Sequence, residues 1–463
     1  MGSNKTDKFA NDDERLIRAP WEKGFNQILT PFEEFIKRET TSGLLLMATA
    51  LIALILANSA WAVHYQHLLH VSVSFSFGGW ELDKSLHHWI NDGLMTLFFF
   101  VVGLELKREI LVGELSRPRQ AALPIVAAIG GMVVPALLFA ILSPAGDALR
   151  GWGIPMATDI AFALGVIALL ASRVPKSLIT FLVALAIVDD LGAVVVIALF
   201  YTEQLVWEFL IAGAGLTGLL ILMNLVGLRR PFVYFLVGIL LWLALLKSGV
   251  HATLAGVITA FTIPALPRFE PKSFSQRMRE MLDRFDASFS PGESILRNQQ
   301  LSAVVQTLEN GIHGVETPLQ RLEHTMHMPV AFLVLPLFAF FNAGVVVDFS
   351  NLFQALSHPV TAGVGFGLVV GKFIGIAGSC WLAVHLGLAS LPRGVGLGHI
   401  GGAALLGGIG FTMSIFIAEL AYANQPEMIL QAKLGILSAS LVAGIGGYLW
   451  LYRLGARMQS EGV

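Results

Sequence analysis

The sequence is poor in charge. Asp, Glu, Lys and Arg make up 13% of its 463 residues, where soluble domains carry about 25%. With 55% hydrophobic residues, this excludes a single soluble globule. Cysteine is almost absent: Cys380 stands alone in an apolar stretch, which excludes an intrachain disulfide framework and a cysteine-rich metal site. No Walker-type phosphate loop and no HExxH pair occurs, so neither nucleotide hydrolysis nor zinc chemistry is expected, and no cofactor. The first 40 residues are polar and of mixed charge, without the short apolar core and cleavage site of a signal peptide. Residues 1–40 read as a cytoplasmic tail, with a mildly amphipathic stretch from Phe25 to Phe35 suited to an interface.

What the chain does have is a series of apolar runs from Thr41 to Leu454. The expected fold is an all-α polytopic membrane protein, because helices satisfy their own backbone in hydrocarbon. Twelve spans are expected, at about 43–60, 89–111, 122–142, 154–171, 177–200, 205–226, 232–248, 249–265, 329–347, 361–385, 400–420 and 431–454, each near the ~20 residues that cross ~30 Å. Lys247, Ser248 and Gly249 mark the weakest boundary. Basic residues cluster in alternate connections: Lys37 and Arg38, Lys107 to Arg119, Arg173 and Lys176, Arg229 and Arg230, and the 266–328 insert. That bias puts both termini in the cytoplasm. The expected units are the tail (1–40), a first membrane part (41–265), the insert (266–328), a second membrane part (329–455) and a short tail (456–463).

Two connections stand out. In VSVSFSFGGW, Val71 to Trp80, apolar residues and serines alternate with period two before a Gly–Gly turn. This predicts an outer β-hairpin at 71–79, whose edge can pair with a second copy as a homodimer. In the insert, Leu296, Leu301, Val304, Val305, Leu308 and Ile312 recur at helical spacing. His313, His324 and His327, with Glu316 and Glu323, form a polar cluster before the ninth span. Histidine titrates near neutral pH, so this region is a candidate for pH response beside its plainer reading as a hydrated loop.

The chemistry concentrates in three buried carboxylates. Asp189 and Asp190 are adjacent in AIVDDLGAVVVIALF, and Asp159 lies in MATDIAFALG. A charge at bilayer depth costs roughly 2.5–3.5 kcal/mol even on lenient scales. On a helix the two neighbours point about 100° apart, which suggests separate tasks: one carboxylate free to meet an ion, the other paired. Lys372, in LVVGKFIGIAG, is the expected counter-charge. Gly151, Gly153 and Pro155 precede Thr158 and Asp159 and invite an interrupted helix. GGAALLGGIG, ending at Gly410, is the second such stretch, followed by Thr412 and Ser414 as polar ligands or helix glue. Two interrupted helices in opposite halves point to a transporter site. Na⁺ wants oxygen ligands, and the same carboxylates bind protons, so the two ions exclude one another. Asp92 opens the second span as a helix cap or a cation-attracting group, and His251, in KSGVHATLAG, is either packed or a modulator of pH response.

The strings NDGLMTLFFFVVGLELKRE, MATDIAFALG, ALAIVDDLGAVVVIALFYT, LKSGVHATLAGV, RLEHTMHMPVAFLVLPLFAFFNAG, GKFIGI and GIGFTMSIFIA resemble the NhaA-type sodium/proton antiporter family, from about residue 40 to 440. The resemblance implies twelve helices with inverted repeats and two crossed, interrupted helices, a geometry for which this family is a standing example. It implies ion-binding carboxylates at Asp190 and Asp159 with Thr158 beside the second, a lysine-paired carboxylate at Asp189 with Lys372, and the second interruption near Gly410. It places pH response at His251, Arg321, Glu323, His324 and His327, and a dimer contact at the 71–79 hairpin. It further implies electrogenic export of Na⁺ or Li⁺ against H⁺ in the bacterial inner membrane, by a secondary transporter and not an enzyme. Gln320–Arg321 departs from the family's basic pair, and the insert around 271–312 is longer than its usual loop; both bear on pH response. The competing readings are a proton-coupled carrier of an organic solute, a channel, and a non-transporting membrane sensor or scaffold. The first needs a wider cavity lined by hydrogen-bonding groups, and the last needs a dominant soluble domain.

Overall fold

Apolar runs of this length leave the backbone no partner but itself, and helices follow. A computed structural model describes residues 31–77, 80–143, 146–202, 205–266, 271–288, 298–347 and 350–460. Residues 1–30 of the expected 1–40 tail, the Gly78–Gly79 turn, Leu296 of the insert and residues 461–463 lie outside them, and residues 31–40 are already part of the helix Pro31–Ala57. Among the described residues nine helical segments are long and apolar enough to cross a membrane, ten with one bent pair. They are Thr40–Ala57, Pro118–Leu142, Asp147–Ala168, Lys176–Phe200, Trp207–Leu225, Pro231–Ser248, Pro318–Asn342, Pro359–His385 and Pro426–Ala456, with Leu397–Leu406 plus Phe411–Ala421 bent by 49°.

Two of the twelve expected spans fall outside this set. The second runs as a continuous helix over 86–111 with a π turn at Trp89–Leu94. It carries Asp92 in its first turns and Glu105, Lys107, Arg108 and Glu109 at its far end, around the apolar stretch 94–104. The eighth is the nine-residue helix Leu254–Thr262, about 14 Å long at 1.5 Å per residue. Gly249, with φ +84°, ends the preceding helix in the left-handed conformation that a side chain disfavours. Lys107 Nζ donates to the Phe261 carbonyl, 2.7 Å, and to that of Ile263 at the far end of the short helix.

The ninth span begins earlier than its hydropathy indicates. Thr317 caps Pro318–Pro329 by accepting from Gln320 N, and the helix continues through a π turn at Val330–Val334 to Asn342. The end of the expected 266–328 insert is therefore helix. The rest forms Pro271–Ser288 and Gln299–Val315, which pack on one another. The hairpin is longer than expected too. Ser72–Phe77 pairs antiparallel with Trp80–Ser85, Phe77 opposite Trp80 and Ser72 opposite Ser85. The second strand, WELDKS, carries charges that hide its period. Trp89 Nε1 donates to the Val73 carbonyl and seats the hairpin on the 86–111 helix.

Burial identifies the centre. In Asp147–Ala168, 83% of the apolar window is buried, against 11% in Trp207–Leu225, so the former is central and the latter peripheral. Pro118–Leu142 packs closely against the Pro359–His385 segment and Lys176–Phe200. Gly130 and Gly375 permit the first approach: a Cβ on either would meet the carbonyl oxygen of the other. Small residues that let backbones meet are the usual basis of helix contact in lipid.

Candidate ion site

Asp189 and Asp190 sit mid-way along Lys176–Phe200, each 1% exposed. Their neighbours differ, as the helical period requires. Asp189 Oδ2 accepts from Lys372 Nζ at 2.6 Å, and Lys372 is itself 1% exposed. This places the expected counter-charge against Asp189. Asp190 Oδ1, like the second oxygen of Asp189, is buried with no hydrogen-bond partner among the described residues, but Asp190 has no bond to the ammonium. It lies within electrostatic reach of Asp189, Asp159, Glu105 and Lys372.

The two glycine-rich stretches are the two breaks. The first segment is 3₁₀-helical over Asp147–Met156, extended at 157–159, and α-helical over Ile160–Ala168. Pro155 lies in its 3₁₀ part, with its ring against Gly367. The second is helical to Leu406, broken at 407–410, and helical again from Phe411. Gly410 stands at this break because a Cβ there would meet Ser414 Oγ and Leu368 Cδ2. The breaks cross and are stitched by hydrogen bonds. Asp159 N donates to the Ile409 carbonyl at 2.7 Å, Thr158 Oγ1 to that of Gly407 at 2.8 Å, and Ser414 Oγ to that of Ile154 at 2.8 Å. Each bond satisfies a backbone group that the break frees, as a bilayer interior demands.

Asp159 caps its own helix: Oδ1 accepts from Phe162 N at 2.9 Å. Its Oδ2 accepts from Thr412 N, 3.0 Å, and from Thr412 Oγ1. Thr158 Oγ1 also accepts from Lys372 Nζ at 2.9 Å. Three carboxylates, one ammonium and two threonine hydroxyls thus converge, all buried. Such a site can exchange H⁺ for a hard monovalent cation, since its carboxylate and hydroxyl oxygens outnumber its one ammonium and leave it net negative.

The other expected residues lie apart from this centre. Asp92 is in the π turn of 86–111, inside a helix whose cap is Ser85; its carbonyl accepts from Trp242 Nε1 at 3.2 Å. Arg321, Glu323, His324 and His327 share Pro318–Pro329, and there Glu323 pairs with Arg108 Nε at 3.0 Å and His327 lies 3.9 Å from Glu105. His324 is exposed and Arg321 half-buried. His251 bonds the backbone of Tyr201, preceding Leu254–Thr262 at the end opposite Lys107, so the structure does not bring it to the 321–327 group.

Sequence reasoning did not single out Glu105, and took Arg108 only as part of the basic cluster after the second span. It also missed a cluster at the hairpin end. His87 Nε2 meets Asn342 Oδ1 at 3.0 Å and stands 4.0 Å from Glu419. Glu419 pairs with Lys433 at 2.6 Å, and Asn342 Nδ2 donates to Asn91 Oδ1 at 2.8 Å. These residues come from four separate stretches, and no local motif links them.

Known proteins resemble this chain over nearly its whole length. The family described as Na⁺/H⁺ antiporter 1 matches residues 33–451. The Na⁺/H⁺ antiporter NhaA 1 of Saccharophagus degradans is 65% identical over 460 residues, 99% of each chain. The Na⁺/H⁺ antiporter NhaA of Sulfurimonas denitrificans is 50% identical, covering 94% of this chain and 98% of its own. That of Syntrophobacter fumaroxidans is 51% identical, covering 94% and 93%.

Proposed function

The chain belongs to the Na⁺/H⁺ antiporter family, and from that premise we propose how its buried carboxylates carry out the exchange. The protein is a secondary transporter of the bacterial inner membrane that exports Na⁺, or Li⁺, in exchange for H⁺, electrogenically, in pH and sodium homeostasis. Asp190 and Asp159 hold the transported ion, with Thr158 beside them. Asp189 is tied to Lys372 and is the paired charge. The observation that carries this reading is the contrast within the pair: Asp189 is held by Lys372 through Oδ2, its own Oδ1 being unpartnered, whereas Asp190 has a buried Oδ1 without a partner and no ammonium bonded to it among the described residues. A charge left unpaired in a low-dielectric interior is costly, and binding either Na⁺ or H⁺ relieves it. Only one of the two ions fits at a time, which couples their opposite movements.

Asp190→Asn keeps the shape and removes the charge. In proteoliposomes it abolishes Na⁺-driven collapse of an imposed pH gradient while the purified protein stays folded and monodisperse. Exchange at the wild-type rate would overturn the assignment.

The finer architecture belongs to the same proposal. The 86–111 helix and the 249–265 segment complete twelve crossings in inverted repeats, with both termini cytoplasmic. Tags on the two termini that report opposite sides of the membrane would contradict it. The pH response resides where Glu323 pairs with Arg108 and His327 approaches Glu105, together with Arg321, His324 and His251. Asp92 draws cations toward the outer mouth. The same vesicle assay run across pH reads both. The hairpin, a two-stranded sheet, joins two copies edge to edge. Removing residues 72–85 converts a dimer in detergent to a monomer by sedimentation; an unchanged dimer would move the contact elsewhere.

A further inference from the structure

Asp159 is unusual at this centre in the number of donors aimed at it. An ionised carboxylate has about four lone-pair sites, two on each oxygen. Oδ2 accepts both the backbone N–H and the hydroxyl of Thr412, which fills it. Oδ1 accepts a single hydrogen bond, from Phe162 N at 2.9 Å. Ser414 Oγ, on the same helix as Thr412, is committed to the Ile154 carbonyl. A cation arriving at Asp159 therefore meets one usable oxygen, Oδ1, while Asp190 retains a free oxygen of its own.

We propose that Thr412 is a specificity-determining residue: by closing Asp159 Oδ2 it restricts this carboxylate to single-oxygen ligation, which favours the smaller of the alkali cations. The reason is ion size. Small hard cations are satisfied by few oxygens at short distance, and larger ones gather more ligands, including both oxygens of one carboxylate. Opening Oδ2 adds an oxygen that Na⁺ uses better than Li⁺. Thr412 acts through Asp159 and touches no ion itself. The inference rests on the reading of Asp159 as an ion ligand.

The test measures apparent KM for Na⁺ and for Li⁺ in proteoliposomes at one pH. Thr412→Ala removes the hydroxyl and opens Oδ2; the ratio of the Na⁺ KM to the Li⁺ KM falls by about threefold or more, in proportion to one lost hydrogen bond. Thr412→Ser keeps the donor and the wild-type ratio. If Thr412→Ala does not accumulate in the membrane, Thr412→Cys, a much poorer donor of similar size, is read in the same way. A purely structural role for Thr412 lowers thermal stability or raises both KM values together and leaves the ratio unchanged, which overturns the inference. Asp159→Asn separates the two levels. Should it leave Na⁺-dependent exchange intact, the ion-ligand reading of Asp159 fails. Should it abolish exchange while Thr412→Ala leaves the ratio unmoved, only the role of Thr412 fails.

Discussion

Lys372 has two acidic neighbours, Asp189 and Asp190, and bonds one. Its Nζ donates to Asp189 Oδ2 and Thr158 Oγ1, and Asp190 adds attraction from the next position on the same helix. The two halves of the ion pair are therefore not equivalent. Losing the lysine leaves Asp189 and Asp190 with no counter-charge, whereas losing Asp189 leaves a lysine that still has Asp190. Breaking a buried pair from one side typically costs about 3–5 kcal/mol. Lys372→Met is thus expected to lower thermal stability in detergent more than Asp189→Asn, and the double variant to be milder than Lys372→Met alone. Equal losses for the two single variants, summing in the double, would mean that the pair does not act as one unit. The sequence reveals this pair because each member is a charge set in a long apolar run, where charge is costly. It does not reveal Thr412 as the donor to Asp159, since a threonine in a membrane helix serves as readily as glue between helices.

Elements bring these residues together through close helix contact. The Lys372 helix meets Pro118–Leu142 at Gly375, where an added Cβ would collide with the Gly130 carbonyl and Gly131 Cα. Gly378, one turn on, has nothing within 4 Å of an added Cβ. Gly375→Val therefore forces the helices apart and is expected to lower the melting temperature and vesicle exchange together, while Gly378→Val leaves both near wild type. A fluorescence-detected melting scan of the two variants decides; equal behaviour would deny the contact its role. At this scale hydropathy locates the helices well where apolar residues run unbroken, as in Lys176–Phe200 against the expected 177–200. It falls short where geometry changes without a change in composition. The π turns at Trp89–Leu94, Val330–Val334 and Gly367–Gly371 leave no mark on an apolar pattern, although the last sets the start of the Lys372 helix. The strand WELDKS alternates only over Trp80 to Asp83, too short to mark a strand, and its register comes from its partner.

The whole molecule acts through its charge count. Three buried carboxylates face one buried ammonium, so the empty site is formally two charges negative. One Na⁺ leaves it one charge negative, and two protons leave it neutral. Whichever groups accept those protons, the sodium-loaded and proton-loaded forms differ by one charge, and a complete cycle moves that charge across the bilayer. A membrane potential then works on the cycle at about 2.3 kcal/mol per charge per 100 mV. In sealed proteoliposomes the moved charge builds a potential that opposes further turnover. Adding valinomycin with K⁺ on both sides dissipates it, and Na⁺-driven pH-gradient collapse is expected to accelerate. An inside-positive or inside-negative K⁺ diffusion potential should then speed or slow the exchange according to its sign. A rate indifferent to both treatments would mean one proton per sodium. In that case one carboxylate of the Asp159–Asp190 pair would hold its charge through the whole cycle, and Asp159, with donors already on both oxygens, would be that one.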